Sequence, residues 1–360
     1  MLNSLGKKSL TITLLFLIMF VLALACNETI VGPQINTDKI FFLSGRDGNP
    51  NHFFPGSKNK DVFVMNADGN NQVNLTNSPD SDFVSIVLSR NNKKIIYQYY
   101  TPIKSFYYIM NIDGTQKRIL ASTSYNSYVA SFSPDGQEII FSTSNPQNDI
   151  IIIDLNGNEV INLTAKTGIG GNQARFSPDG KKICFYSQSS ELNPYNIFIT
   201  SRDGSDTRQL TNDTLSYYSR ILFSLDGKQI FFAGNDQHYS GNEIFSVNVD
   251  GSNFRELTNT NFQFLYILLE ISPDGESLLF TKQYSNDPSI YSMKLDGTGL
   301  KQITYSNAAV DGVYTSDGNN IIYTQMENGK YQIFEMEYDG TQKRNLSNNA
   351  FSDIYPVPNF

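Results

Sequence analysis

The sequence predicts an all-β chain folded as a seven-bladed β-propeller. Three observations carry that expectation: a fixed internal period, turn signals at constant offsets within it, and short apolar runs between the turns. An Asp-Gly or Asn-Gly pair recurs at Asp68, Asp113, Asn156, Asp203, Asp250, Asp296 and Asp339, at intervals of 45, 43, 47, 47, 46 and 43 residues. Seven residues after each comes Leu75, Leu120, Leu163, Leu210, Leu257, Ile303 or Leu346, and five of these are followed by Thr. Such a period marks an array of equivalent supersecondary units.

The second marker is Ser-Pro-Asp-Gly at Ser133, Ser177 and Ser272, nearly copied from Ser224 to Gly227. Weaker forms start at Ser89 and Thr315. Ser at the first position, Pro with its fixed φ at the second and Gly at the fourth suit a type I turn. Runs rich in Ile, Phe and Tyr flank these turns and read as strands. No window beyond the N-terminus shows a 3.6-residue period over ten or more residues.

The unit beginning at Asn172 shows the order within a blade. Strand A spans Asn172 to Phe176, the Ser-Pro-Asp-Gly turn follows, and strand B spans Lys182 to Tyr186. Strand C spans Asn196 to Thr200, Asp203-Gly204 makes a hairpin, and strand D runs to Leu210-Thr211. Four strands in 40 to 50 residues is the size of a propeller blade, and radial repetition leaves only short edges. A sandwich would not impose a fixed period. The first unit starts at Lys39 to Phe42, a strand B without its A, and the last ends at Ile354 to Phe360, an A without its B. Pairing of these two fragments would close residues 39–360 into seven blades. Six blades with one irregular repeat outside the ring is the alternative.

These residues resemble TolB-type propeller repeats, relatives of the WD-repeat class. The resemblance rests on the stretches Phe176 to Ile183 and Ile244 to Gly251 and on the repeated Leu-Thr ends, and it covers residues 39–360. TolB carries a further α/β domain before its propeller, for which residues 27–38 leave no room. Some peptidases of this propeller type carry a hydrolase domain, but no Gly-x-Ser-x-Gly elbow occurs in this sequence. Oligogalacturonate lyases of the same type use a His-rich metal centre; this chain has two His, His52 and His238. No cofactor or metal is expected, and Asp in the Asp-Gly pairs is accounted for by turn geometry.

Lys7 and Lys8 precede an apolar run from Leu10 to Ala25, then Cys26. That order gives a charged region, an apolar region and a small-residue cleavage site. Leu22-Ala23-Leu24-Ala25-Cys26 resembles a bacterial lipoprotein processing box. The resemblance implies cleavage of residues 1–25, lipidation of Cys26, and a linker over 26–38. The outer membrane is favoured over the inner because Asn27 follows the Cys. A plain signal peptide or an uncleaved anchor are the alternatives, although the run is shorter than the ~20 residues of a membrane helix. Removing residues 1–25 leaves 25 basic against 35 acidic residues, a net charge of −10. That balance argues against nucleic acid and against electrostatic docking on anionic lipid, so only the lipid would hold the membrane. Cys184, mid-strand, reads as a buried inert thiol.

A monomeric, non-catalytic scaffold for a protein or glycan partner is the expected function, with a channel lyase or hydrolase as the alternative. The A–B and C–D turns share one face of the disc and are stereotyped; variation falls on the B–C and D–A loops of the other face. Candidates there are Arg46, Asp47, His52, Phe53 and Phe54 in the longest insertion, then Tyr195, His238 and Tyr239. The D–A loops add Tyr125, Tyr217, Phe262, Tyr305 and Phe351. Rigid scaffolds carry recognition on variable loops, and aromatic anchors suit protein or sugar contact. Strand A lines the channel, where Arg175, Arg220, Glu270 and Asp311 would form either a ligand site or ion pairs between blades.

Overall fold

The computed structural model describes residues 38–359 apart from 47–59, 79–82, 90, 92, 102–103, 124–126, 144, 189–194, 213–216, 219, 236–240, 285–286 and 306–307. Residues 38–360 form one compact unit of seven antiparallel sheets. Blade 4 reproduces the expected order, with strands A to D at Asn172–Phe176, Lys182–Gln188, Tyr195–Ser201 and Arg208–Gln209. Blades 2 and 3 start at Phe83–Leu88 and Ser127–Phe132, blade 5 at Tyr217–Tyr218 and Leu222–Phe223, and blades 6 and 7 at Leu265–Ile271 and Val310–Tyr314. Blade 1 takes its strand A from the C-terminal end: Asp353–Asn359 pairs with Lys39–Ser44, setting Phe41 opposite Val357 and Leu43 opposite Ile354. Closure is therefore of the expected kind, with seven blades.

Alternation along each strand builds the core. In Lys39–Ser44, Ile40 and Phe42 join Ile322, Ile333 and Leu346 of blade 7, whereas Phe41 and Leu43 join Ile86, Ile95 and Tyr97 of blade 2. A period of two sends alternate side chains to opposite neighbours. Each of the seven apolar clusters lies between adjacent blades in this way. A fully buried Ile or Phe contributes about 1.5–3 kcal/mol, so each interface is a small core of its own. Cys184 is free and 0% exposed within one of them, and burial raises its pKa.

Both sequence markers have local physical causes. In the Ser-Pro-Asp-Gly turn, the Ser177 hydroxyl donates to Asp179 at 2.6 Å and accepts from Lys182 N–H at 3.0 Å. Asp179 accepts from Lys181 N–H at 3.1 Å, and Gly180 N–H donates to Ser177 O at 2.9 Å. The same bonds recur from Ser133, Ser224, Ser272 and Thr315. The Leu-Thr ending serves strand C. Val62, Ile150, Ile197, Ile244, Ile290 and Ile333 N–H donate to Thr76, Thr164, Thr211, Thr258, Thr304 and Ser347 hydroxyls at 2.8–3.0 Å. Blade 2 has Ala121 at that place, and its strand D instead extends the backbone ladder over Arg118–Thr123.

The Asp-Gly glycines set the spacing between blades. A Cβ on Gly69 of blade 1 would stand 2.4 Å from Leu346 O of blade 7, and one on Gly340 would stand 2.6 Å from Ile303 O of blade 6. The nearest neighbours at Gly114, Gly157, Gly204, Gly251 and Gly297 also belong to the preceding blade. One departure from an all-β chain occurs. Leu163–Thr167 is a short helix, capped by Asn162 accepting from Ala165 N–H and stopped at Gly168 with φ 71°. Asn and Gly are favoured at those two places. No helix among the described residues is long and apolar enough to cross a membrane.

Gly69 and Gly251 share φ (87° and 86°), but the nearest atom to a Cβ on Gly251 is a flexible Leu210 methyl at 3.8 Å. Gly251→Ala is expected to cost about 1 kcal/mol, from backbone conformation alone. Gly69→Ala should cost at least about 2 kcal/mol, since a backbone carbonyl must move. Urea unfolding of both variants measures the difference, and equal costs would contradict the closed seam. A second expectation concerns acid. The Ser177 hydroxyl, then Lys181 N–H, holds the Asp179 carboxyl below its ordinary range. A carboxylate depressed in the folded state adds stability above its unfolded pKa of about 3.9 and loses it as pH falls through the folded value. Ser177→Ala should therefore lose less stability than the wild type between about pH 5 and 3, read as urea midpoints at each pH.

Candidate functional site: channel arc and loop face

The inner strands carry a bulge that sequence alone did not reveal. Register shifts occur at Asn172/Arg175 in blade 4 and Val310/Val313 in blade 7, and a similar shift breaks the blade 1 pairing. Gln173, Asp311 and Tyr355 sit at these bulges with φ of 51°, 56° and 55°. Left-handed backbone at residues other than Gly costs about 1 kcal/mol or more and clusters at sites of function.

All four charged residues expected along the channel fall on one contiguous arc: Arg175 on blade 4, Arg220 entering blade 5, Glu270 on blade 6 and Asp311 on blade 7. Arg220 presents open surface, yet desolvation by surrounding protein lowers its pKa. Both hold for a side chain that faces a narrow internal channel. Desolvation, then repulsion from Arg220, brings Arg175 down to about 9. Burial pushes Glu270 up to about 7, opposed by Tyr314 N–H, which donates to it at 2.9 Å, and by Arg220. Burial likewise pushes Asp311 up to about 7, opposed by Arg220 and a hydrogen bond from the Tyr355 backbone. Tyr355 itself is raised to about 12 by burial and then by Asp311. The charges thus act on one another through space. Among the described residues neither Arg175 nor Arg220 forms an ion pair within 4.0 Å.

The loop face is divided. Arg46 is drawn into the closure seam: its guanidinium donates to Asp353 at 2.8 Å and Gln72 at 2.6 Å and lies 4.6 Å over the Phe63 ring. Asp353 is fully buried there. Tyr195 opens strand C of blade 4 and packs edge-on against Tyr186 at 5.4 Å. Phe262 N–H donates to the buried Glu243 at 2.9 Å, and the Phe351 carbonyl accepts from Gln332 at 2.5 Å. Tyr305 is 74% exposed. Cys26, Asp47, His52, Phe53, Phe54, Tyr125, His238 and Tyr239 lie outside the described residues, and Tyr217 is described in backbone only.

A patch that the sequence reading missed lies on blade 6 at this same face. Tyr284, 68% exposed, ends strand B and meets Phe264 at 5.6 Å. The Lys282 ammonium stands 3.8 Å over the Phe264 ring. From Phe264 the rings run inward through Tyr266 (6.5 Å) and Phe280 (5.8 Å) to Tyr291 (6.0 Å). The signal available in sequence was three aromatic residues, Phe262, Phe264 and Tyr266, at alternate positions entering one strand. No group of three His, Cys, Asp or Glu among the described residues converges as a metal site.

With this geometry in hand, comparison with known proteins fixes the family. No curated protein matches the sequence. Among solved structures, TolB from Acinetobacter baumannii is 16% identical, with a TM-score of 0.53 over 85% of this chain and 80% of that one. An Agrobacterium tumefaciens protein assigned as TolB is 19% identical, with a TM-score of 0.52 over 71% and 91%. An oligogalacturonate lyase from Vibrio parahaemolyticus is 13% identical, with a TM-score of 0.59 over 82% and 83%. Identities this low show shared fold alone. The family model for the TolB beta propeller domain, however, matches residues 51–264, more than half of the sequence. The chain belongs to the TolB beta-propeller domain family.

Proposed function

We propose that this propeller is a non-catalytic, monomeric binding scaffold of the bacterial cell envelope, which takes a protein or glycan partner on its B–C and D–A loop face. The observation that carries the reading is the blade 6 patch, where Tyr284 stands open against Phe264 with Lys282 over that ring; Tyr305 stands open on the loop that leaves the same blade. Exposed aromatic rings on a rigid frame offer large contact area at small entropic cost, and a cation over a ring adds polarity at the rim. The acidic composition supports a partner other than nucleic acid. Envelope placement, with a lipid on Cys26 favouring the outer membrane, draws support from the Lys7–Lys8, apolar and Ala25–Cys26 order of the leader.

One observation favours a second reading. Two half-buried carboxyls that the surrounding protein pushes up to about 7, Glu270 and Asp311, are suited to proton transfer in a channel lyase or hydrolase. Incubating the purified domain with polysaccharide and peptide arrays separates the two. Saturable binding without turnover is expected, weakened about tenfold by Tyr284→Ala or Tyr305→Ala, the scale of ~1.4 kcal/mol for one aromatic anchor. Turnover abolished by Glu270→Gln or Asp311→Asn would overturn the scaffold reading. Labelled palmitate should enter the wild-type protein in cells and be lost in Cys26→Ser; equal labelling would overturn the anchor.

A further inference from the structure

Blade 2 ends differently from the rest. Strand D spans two residues in blades 1, 4, 5, 6 and 7, and four in blade 3, where the helix Leu163–Thr167 stops it. In blade 2 it spans six, Arg118–Thr123. The cause lies in one residue. Where the other blades place the Thr or Ser hydroxyl that caps strand C, blade 2 has Ala121, and the backbone ladder runs on until Thr123 pairs with Ser105. Strand D is the outermost strand of its sheet and pairs with strand C alone. Its outer side is therefore an edge of the kind that receives another strand, and it lacks the shortness that blunts the other blades. Arg118, Ile119 and Ser122 are exposed along it, Ile119 at 54%.

Charge marks the same blade. The chain has a net charge of −8, yet residues 83–123 hold Arg90, Lys93, Lys94, Lys104, Lys117 and Arg118 against Asp113 alone. Three of these cations bracket the edge: Lys117 and Arg118 at its start, and Lys104 beside its end. Lys117 reaches Leu75 O at 2.9 Å and Arg118 reaches Leu155 O, on the blades to either side. Neither makes an ion pair among the described residues. An ammonium has three donors and a guanidinium five, so both retain donors for a carboxylate. A second copy of this chain would set basic edge against basic edge, whereas a strand bearing carboxylates would be drawn in.

We propose that strand D of blade 2 is a docking edge, separate from the loop face, which takes an extended acidic segment of a partner protein as a fifth strand of the blade. Main-chain hydrogen bonds along Arg118 to Ser122 hold the segment, and Ile119 offers an apolar contact to one of its alternate side chains. Lys104, Lys117 and Arg118 select carboxylates on it and steer its approach.

The test is fluorescence anisotropy of the purified protein with a labelled peptide of four Glu-Val repeats, together with hydrogen exchange over residues 118–123. Saturable binding is expected, with the edge amides slowed about tenfold or more at saturating peptide. A Lys-Val peptide, and a Glu-Pro peptide that lacks alternate N–H donors, should each bind about tenfold more weakly or worse. The Lys117→Glu/Arg118→Glu double variant should lose about tenfold in affinity for the Glu-Val peptide. If that variant fails to fold, Lys104→Glu at the other end of the edge should show a loss of about threefold. Absence of saturable binding, equal binding of the Lys-Val or Glu-Pro peptide, or unchanged affinity in the charge variants would overturn the proposal. So would binding that leaves residues 118–123 exchanging as in the free protein.

Discussion

Every blade leans on the one before it through the same pair: a glycine without a Cβ, set against the Leu or Ile that ends the previous blade. The approach is so close at Gly69, Gly157 and Gly340 that a methyl group would overlap a backbone carbonyl. Because the pair recurs seven times, the angle between blades is fixed by local sequence. Seven equal steps return the chain to its start, where Gly69 meets Leu346. Strand pairing of Lys39–Ser44 with Asp353–Asn359 then locks the ring, and the Arg46–Asp353 bridge covers the seam. Removing one partner of a buried pair of this kind costs about 3–5 kcal/mol.

A closed ring divides function in a particular way. The A–B turns are fixed by hydroxyl-to-carboxylate bonds within each turn, and the C–D turn glycines set blade against blade, which leaves both little room to vary. The other face is divided: Arg46 and the Phe262 and Phe351 backbones brace the structure, whereas Tyr284 and Tyr305 hold their rings in the open. The channel is a third environment. Side chains there are surrounded by protein, so their charges act on one another more strongly than at the outer surface. Burial disfavours the charged form there and pushes Glu270 and Asp311 up to about 7, against the pull of Arg220, whereas hydroxyl and N–H bonds hold the turn carboxylates low.

The fold was legible in the sequence because turn chemistry is local. Ser177, Asp179 and Gly180 make their bonds within five residues, so the pattern survives in one dimension, and so does the incomplete blade at each end. The inner-strand positions of Arg175, Glu270 and Asp311 were legible too, because the turn signals place strand A in each unit. What could not be read was anything joined across the ring. Arg46 looked like a recognition residue because its partner Asp353 is 307 positions away. The blade 6 patch was missed for a nearer reason: Phe264 and Tyr284 meet one step beyond the Leu265–Gln283 pair of strands A and B, and that contact depends on a strand register the sequence pattern did not supply. The short helix at Leu163 escaped notice because strand D and a capped turn begin with the same Asn-Leu-Thr.

Ring closure can be tested by hydrogen exchange on the terminal strands. If the first and last segments zip into one sheet, the ladder amides of Lys39–Ser44 and Asp353–Asn359 should be protected as strongly as those of Lys182–Gln188 in blade 4 and should exchange in the same global event. Protection lost within the ordinary fraying time of free termini, with blade 4 still protected, would contradict a closed seven-bladed ring.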